Sequence, residues 1–131
     1  MSTVAKLDKK TKEALFNMMP LIGKSFKFTP ECFDKFPEEY RPVFTLKIPS
    51  TEDRNYYMGL ESGESVIKFY SSMILSISNI YDPISETVRS VAGEECIETF
   101  RNFHVDIHAF VKNKIISSMK LCAVDYASLG D

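Results

Sequence analysis

Residues 64–81 read Glu64-Ser65-Val66-Ile67-Lys68-Phe69-Tyr70-Ser71-Ser72-Met73-Ile74-Leu75-Ser76-Ile77-Ser78-Asn79-Ile80-Tyr81, and the period of their apolar positions decides the fold class. Val66, Phe69, Tyr70, Met73, Ile74, Ile77 and Ile80 follow the i, i+3, i+4, i+7 rule, which places them on one stripe of a helix. The spacing therefore predicts a helix from Glu64 to Tyr81 with a wide buried face. Just beyond it, Asp82-Pro83 offers a capping carboxylate and a first-turn proline, which predicts another helix over Ile84 to Ala92 with Gly93 as its C′ residue. A last long helix is predicted over Glu94 to Cys122. There Ile97, Phe100, Phe103, Ile107, Phe110, Val111, Ile115 and Met119 form an apolar arc too wide for one neighbour to cover, so one packing partner could be another chain.

Upstream of the deciding stretch, Ser50-Thr51-Glu52-Asp53 follows Pro49 as a capping residue with acidic groups in the first turn, and a helix is expected to begin there. Gly59 and Gly63 weaken it, giving a kink or short break that Ser62 could recap. Phe26-Lys27-Phe28 and Val43-Phe44-Thr45-Leu46-Lys47-Ile48 alternate as strands do and can pair. Between them, Thr29-Pro30 opens one or two helical turns over Glu31 to Phe36, closed by Pro37. Residues Asp8 to Met19, with Ala14, Leu15, Met18 and Met19 at helical spacing, read as a short amphipathic helix ended by Pro20 and Gly23. The expected fold is mainly α, with four to five helices and one small two-stranded β element near the N-terminal third. It forms a single domain over residues 1–131 with flexible ends at 1–7 and 124–131.

Composition narrows the function. With 44% hydrophobic and 26% charged residues the chain has the makeup of a folded globular protein and not of a disordered one. A net charge of −2 gives no general attraction to nucleic acid, and the cluster Lys6, Lys9, Lys10 and Lys12 reads as the solvated face of a helix. Cys32, Cys96 and Cys122 are odd in number and show no CxxC spacing, so free thiols in a reducing compartment are expected. No apolar leader opens the sequence, and the apolar run Met73 to Ile80 is short of a membrane span. These features point to a cytoplasmic protein with neither membrane nor nucleic acid as partner.

Chemistry-bearing motifs are sparse. His104 and His108, at i, i+4 on the predicted last helix, are the one candidate metal pair. No Glu follows the first His as in a zinc protease, and the stronger reading is that His104, within the apolar arc, and His108, at its margin, are core or interface residues with their polar atoms satisfied, so no metal is expected. The five glycines form no phosphate-binding loop, and the carboxylate pairs Glu38-Glu39, Glu52-Asp53 and Glu94-Glu95 fall at loops and helix starts where dipole and solubility explain them. No catalytic residue and no cofactor is expected. What remains is a surplus of ten Phe, six Tyr and six Met, residue types favoured as anchors at protein interfaces. The interface candidates are Tyr56, Tyr57 and Met58, which cannot all face inward from one helix, together with Phe103 and Phe110 at one edge of the last helix.

The stretch Phe28 to Tyr57 combines a short helix after Pro30, the proline-flanked Pro37-Glu38-Glu39-Tyr40-Arg41-Pro42, the strand Val43 to Ile48 and a charged helix opened by Ser50 and Thr51. It resembles the N-terminal part of the tail assembly chaperones of long-tailed bacteriophages and prophages. The resemblance implies a small, oligomeric helical protein of the host cytoplasm that coats the tape measure protein, keeps it from aggregating, and recruits tail tube subunits. It also implies that a longer form arises by programmed frameshifting. Two other readings stay open: an acidic dimeric secretion-type chaperone that binds an effector protein, and a helical metal-dependent enzyme using His104 and His108.

Overall fold

The computed structural model describes residues 6–61 and 63–120. Four strands, β1 (Ser25–Phe28), β2 (Val43–Lys47), β3 (Ile74–Asp82) and β4 (Thr87–Ala92), form one antiparallel sheet in that order. Among the described residues five α-helices accompany it: α1 (Lys9–Met18), α2 (Thr51–Met58), α3 (Gly63–Ser72), α4 (Glu95–Arg101) and α5 (Val105–Met119). The protein is therefore an α+β fold, which corrects the expectation of a mainly α chain with a two-stranded element.

The error lies in residues 74–92, and its cause is specific. A regular strand sends every second side chain to the core. In β3 the pairing slips twice: Leu46 faces Ile74 while its neighbour Thr45 faces Ser76, and Ile77 faces Val91 while Ile80 faces Arg89. Each slip adds one residue to β3, as a β-bulge does, so Ile74, Ile77 and Ile80 all reach the same face although they are three apart. Two bulges thus reproduce helical spacing within a strand. The left-handed backbone that the second bulge needs falls on Asn79 (φ 59°), a residue type that tolerates it.

The second predicted helix, Ile84 to Ala92, is likewise replaced by a hairpin turn and β4. Asp82 does cap amides, as expected, but it accepts from Ile84 and Ser85 within a turn that ends at Glu86 in the left-handed region (φ 58°). Thr87, Val88 and Val91, β-branched and stiff at χ1, then favour an extended chain. The predicted last helix is interrupted at 102–104 and becomes α4 and α5. That break explains the wide arc: two separate helices each bury a narrow stripe, Cys96 and Phe100 on α4 and Ile107, Val111, Ile115 and Met119 on α5.

Elsewhere the local signals hold. β1 and β2 pair in the expected segments, and α1 begins at Asp8, whose side chain accepts from the Thr11 amide at 2.7 Å. Ser50 caps α2 through a reciprocal capping box with Asp53, and Gly59 ends it. The stretch expected to be helical after Pro30 is a short 3-10 turn, Glu31–Phe33. The roles foreseen for Ser62 and Cys122 and the flexibility foreseen for 124–131 lie outside the described residues, as do five of the seven N-terminal residues.

One face of the sheet carries the core. Phe28, Phe44, Ile77 and Val91 stand in register across all four strands, with Phe26, Leu46 and Ile74 beside them. They pack against Phe69 and Tyr70 of α3, Phe100 of α4 and the α5 stripe in one cluster, with Phe44 edge-on to Phe100 at 6.4 Å. The other face shows Lys27, Thr45, Ser76 and Ala92 in register, a polar or small-residue ladder suited to water. α1 buries no residue completely and is attached to α5 through Phe16, whose ring lies 3.6 Å from Lys114 Nζ, and through the Lys114–Glu13 pair.

Candidate functional site

β3 outruns β2: the last β2 residue to pair, Val43, faces Ser78, and β3 continues to Asp82. The edge of β3 that β2 leaves uncovered, opposite its β4 partner, is walled by the loop between β1 and β2. That loop is short-ranged and rigid in design, made of two 3-10 turns, Glu31–Phe33 and Glu38–Tyr40, each preceded by a proline. Arg41 fixes it from within, donating from Nε to the Phe36 carbonyl (2.8 Å) and from Nη2 to the Asp34 carbonyl (3.1 Å). Asn79 Nδ2 donates to the Arg41 carbonyl (3.3 Å), so the bulge in β3 also ties the loop to the sheet.

Between these parts lies a groove of about 520 Å³ lined by Phe33, Phe36, Tyr40, Pro42, Ile80, Tyr81, Pro83 and Phe103. No lining side chain is charged, and the tyrosine hydroxyls are its only polar side-chain groups. Tyr40 meets Tyr81 edge to face at 5.4 Å (88°), and Phe33 and Phe36 lie at 6.1 Å. Phe103 closes the inner end, packed on Phe44 of the core at 5.5 Å. Phe36, Tyr40 and Tyr81 are 51%, 42% and 41% exposed, a large apolar surface for a small protein to leave in water. At the hairpin tip, hydrogen bonds from the Ile84 and Ser85 amides hold the Asp82 carboxyl below its ordinary range.

The sequence-predicted residues are dispersed. Of the five interface candidates, Phe103 alone lines this groove. Tyr56 and Met58 are exposed on α2, Tyr56 stacked on Phe69 at 5.9 Å, while the half-buried Tyr57 accepts a hydrogen bond from the Tyr70 hydroxyl at 3.1 Å. Burial first, then that bond, pushes the Tyr70 hydroxyl well above its ordinary range. Phe110 lines a different concavity of about 710 Å³ between α1 and α5, with Lys9, Lys10, Lys12 and Lys114. Seven groove residues, Phe33, Phe36, Tyr40, Pro42, Ile80, Tyr81 and Pro83, escaped the sequence reading. The available signal was the density of aromatic residues in the proline-rich loop 33–42, of which Phe33 alone is half-buried against the core.

The histidines do not share a helix face. His104 precedes α5 as its N-cap, its exposed ring accepting from the Asp106 amide at 3.1 Å. His108 lies within α5, its ring tilted at 32° against Phe100 at 4.5 Å, with Nε2 donating to the Phe100 carbonyl at 2.5 Å. Among the described residues no three His, Cys, Asp or Glu side chains gather as a metal site requires. Cys32 is exposed and Cys96 buried, and desolvation pushes both thiols above their ordinary value. No helix among the described residues is long and apolar enough to cross a membrane.

Compared with known proteins, the chain matches no family model, no curated protein and no solved structure.

Proposed function

We propose that the chain is a non-catalytic protein-binding module that docks its partner in the aromatic groove. The resemblance over Phe28 to Tyr57 makes a tail assembly chaperone the specific form of this reading: an oligomeric protein of the host cytoplasm that holds a tape measure protein and recruits tail tube subunits. The observation that carries it is the groove lining. Four of its eight residues, Phe33, Phe36, Tyr40 and Pro42, belong to the stretch that bears the resemblance, and the loop that presents them is pinned in place before any partner arrives. Preorganisation of this kind lowers the ordering cost of association.

Co-expression with the tape measure protein of a long-tailed phage tests the reading. The expected result is a soluble, stoichiometric complex with the wild-type chain, and its loss with Tyr40→Ser at unchanged melting temperature. No complex, or a complex indifferent to Tyr40→Ser, overturns it.

A further inference from the structure

We propose that β4 pairs with β4 of a second copy of this chain, joining the two sheets into one antiparallel sheet across a two-fold axis at Val91. This goes beyond the groove reading and does not depend on what enters the groove.

Three observations carry it. First, β4 is an open edge. It pairs with β3 alone, and all of its residues except Val91 are exposed. The Gly93 amide donates to the Leu75 carbonyl at 3.2 Å, so by the alternation of an extended strand Val91, Arg89 and Thr87 also turn their backbone groups toward β3. Val88, Ser90 and Ala92 turn theirs outward, and among the described residues none of the three bonds to the backbone of a turn, loop or helix.

Second, this edge lacks the devices that keep strands from pairing. Natural edges are kept short, bulged, or marked with lysine or proline. The opposite edge follows that rule: β1 has four residues, one of them Lys27. β4 has six, Thr-Val-Arg-Ser-Val-Ala, with neither lysine nor proline, and the extra residue at its bulge lies on β3, which leaves β4 regular.

Third, charge selects the occupant. Arg89, Glu94 and Glu95 are exposed and form no ion pair among the described residues, although the Arg89 charge reaches Asp82 of its own chain. Two copies paired about Arg89 would set two guanidiniums face to face, and two paired about Ser90 would set Glu86 against Glu94. Paired about Val91, Ser90 of each copy exchanges backbone bonds with Ala92 of the other. Arg89 then lies opposite Gly93 of the second copy, which has no side chain, and beside its Glu94 and Glu95. The two-fold axis repeats that contact, so one sequence supplies both halves of a complementary surface. The groove lies on the other side of β3 from β4, and the dimer leaves both grooves open.

One short edge buries little surface, so the dimer is expected to be weak. Sedimentation of the full chain from about 1 to about 100 µM should show a monomer passing into a dimer. Ser90→Pro removes an outward N–H that β3 does not use; it should keep the wild-type circular dichroism and weaken dimerisation at least about tenfold. Arg89→Glu, and the double variant Glu94→Arg, Glu95→Arg, should each be monomeric alone and dimerise when mixed, because only the mixture restores opposite charges at both contacts. These charge variants carry the test if Ser90→Pro does not fold. A wild-type chain that stays monomeric, a dimer indifferent to Ser90→Pro, or charge variants that do not recover on mixing overturns the inference. A monomeric wild type whose co-expressed complex is lost in Ser90→Pro overturns it too, and assigns the edge to another protein. Tyr40→Ser should leave the dimer intact, so the groove reading and this one fail separately.

Discussion

Asn79 joins the fold to the groove through one side chain. It occupies the left-handed region at the second bulge of β3 and donates to the Arg41 carbonyl, which holds the groove loop against the sheet. Most L-residues pay roughly 1–2 kcal/mol to adopt that backbone, whereas Asn and Gly adopt it readily. Asn79→Ala is therefore expected to lower the unfolding free energy by about 1–2 kcal/mol, through backbone strain and the lost hydrogen bond together. Asn79→Gly keeps the backbone and loses the bond, and should cost less. Urea unfolding of the two variants measures this, and an equal loss in both would show that the φ of 59° contributes nothing. Because the loop is anchored here, both variants should also weaken partner capture without altering any groove side chain.

At the level of elements, α2 shows how local chemistry fixes a boundary. The Ser50 hydroxyl accepts from the Asp53 amide at 3.1 Å, the Asp53 carboxylate accepts from the Ser50 amide at 2.9 Å, and Lys47 of β2 reaches the same carboxylate at 3.0 Å. Burial disfavours the charged form of Asp53, but the bonds from Ser50 and Lys47 outweigh it and hold the carboxyl below its ordinary 3.8. A folded-state value below the unfolded one means that the stabilisation is complete above 3.8 and is lost as the pH falls through the lower, folded value. Ser50→Ala is expected to cost about 1 kcal/mol at neutral pH. Asp53→Asn should lower the melting temperature at neutral pH and lose that deficit in strong acid; a pH-independent deficit would assign it to packing instead. Caps of this kind were legible because they depend on residues three apart, and so was the β1–β2 pair, whose alternation is unbroken. The strands β3 and β4 were not legible, because register slips depend on the partner strand. Nothing within Ile74 to Ile80 distinguishes a stripe made by helical winding from one made by two bulges. The break between α4 and α5 was hidden for a related reason: Asn102-Phe103-His104 contains no proline or glycine, and its helix cap is a histidine, an uncommon choice.

For the whole molecule, the groove is assembled from three separated segments, 33–42, 80–83 and 103, and only the sheet brings them together. A helical reading of 74–80 cannot bring them together, so the site became visible only with the correct topology. The same topology separates neighbours in sequence that a helix would treat alike. Ile77 is completely buried between Phe44 and Val91, whereas Leu75, the extra residue of the first bulge, is 42% exposed. Ile77→Ala removes a central core side chain and leaves a cavity that close-packed neighbours cannot fill, so a loss of about 2–5 kcal/mol is expected. Leu75→Ala removes partly hydrated surface and should cost no more than about 1 kcal/mol. Chemical denaturation of both variants gives the comparison. Because Ile77 also anchors the register that carries β3 on to Ile80 and Tyr81, the groove should loosen as the core does: partner capture by Ile77→Ala should fall, and capture by Leu75→Ala should match wild type. Similar stability losses at both positions would contradict the bulged register and, with it, the placement of the groove.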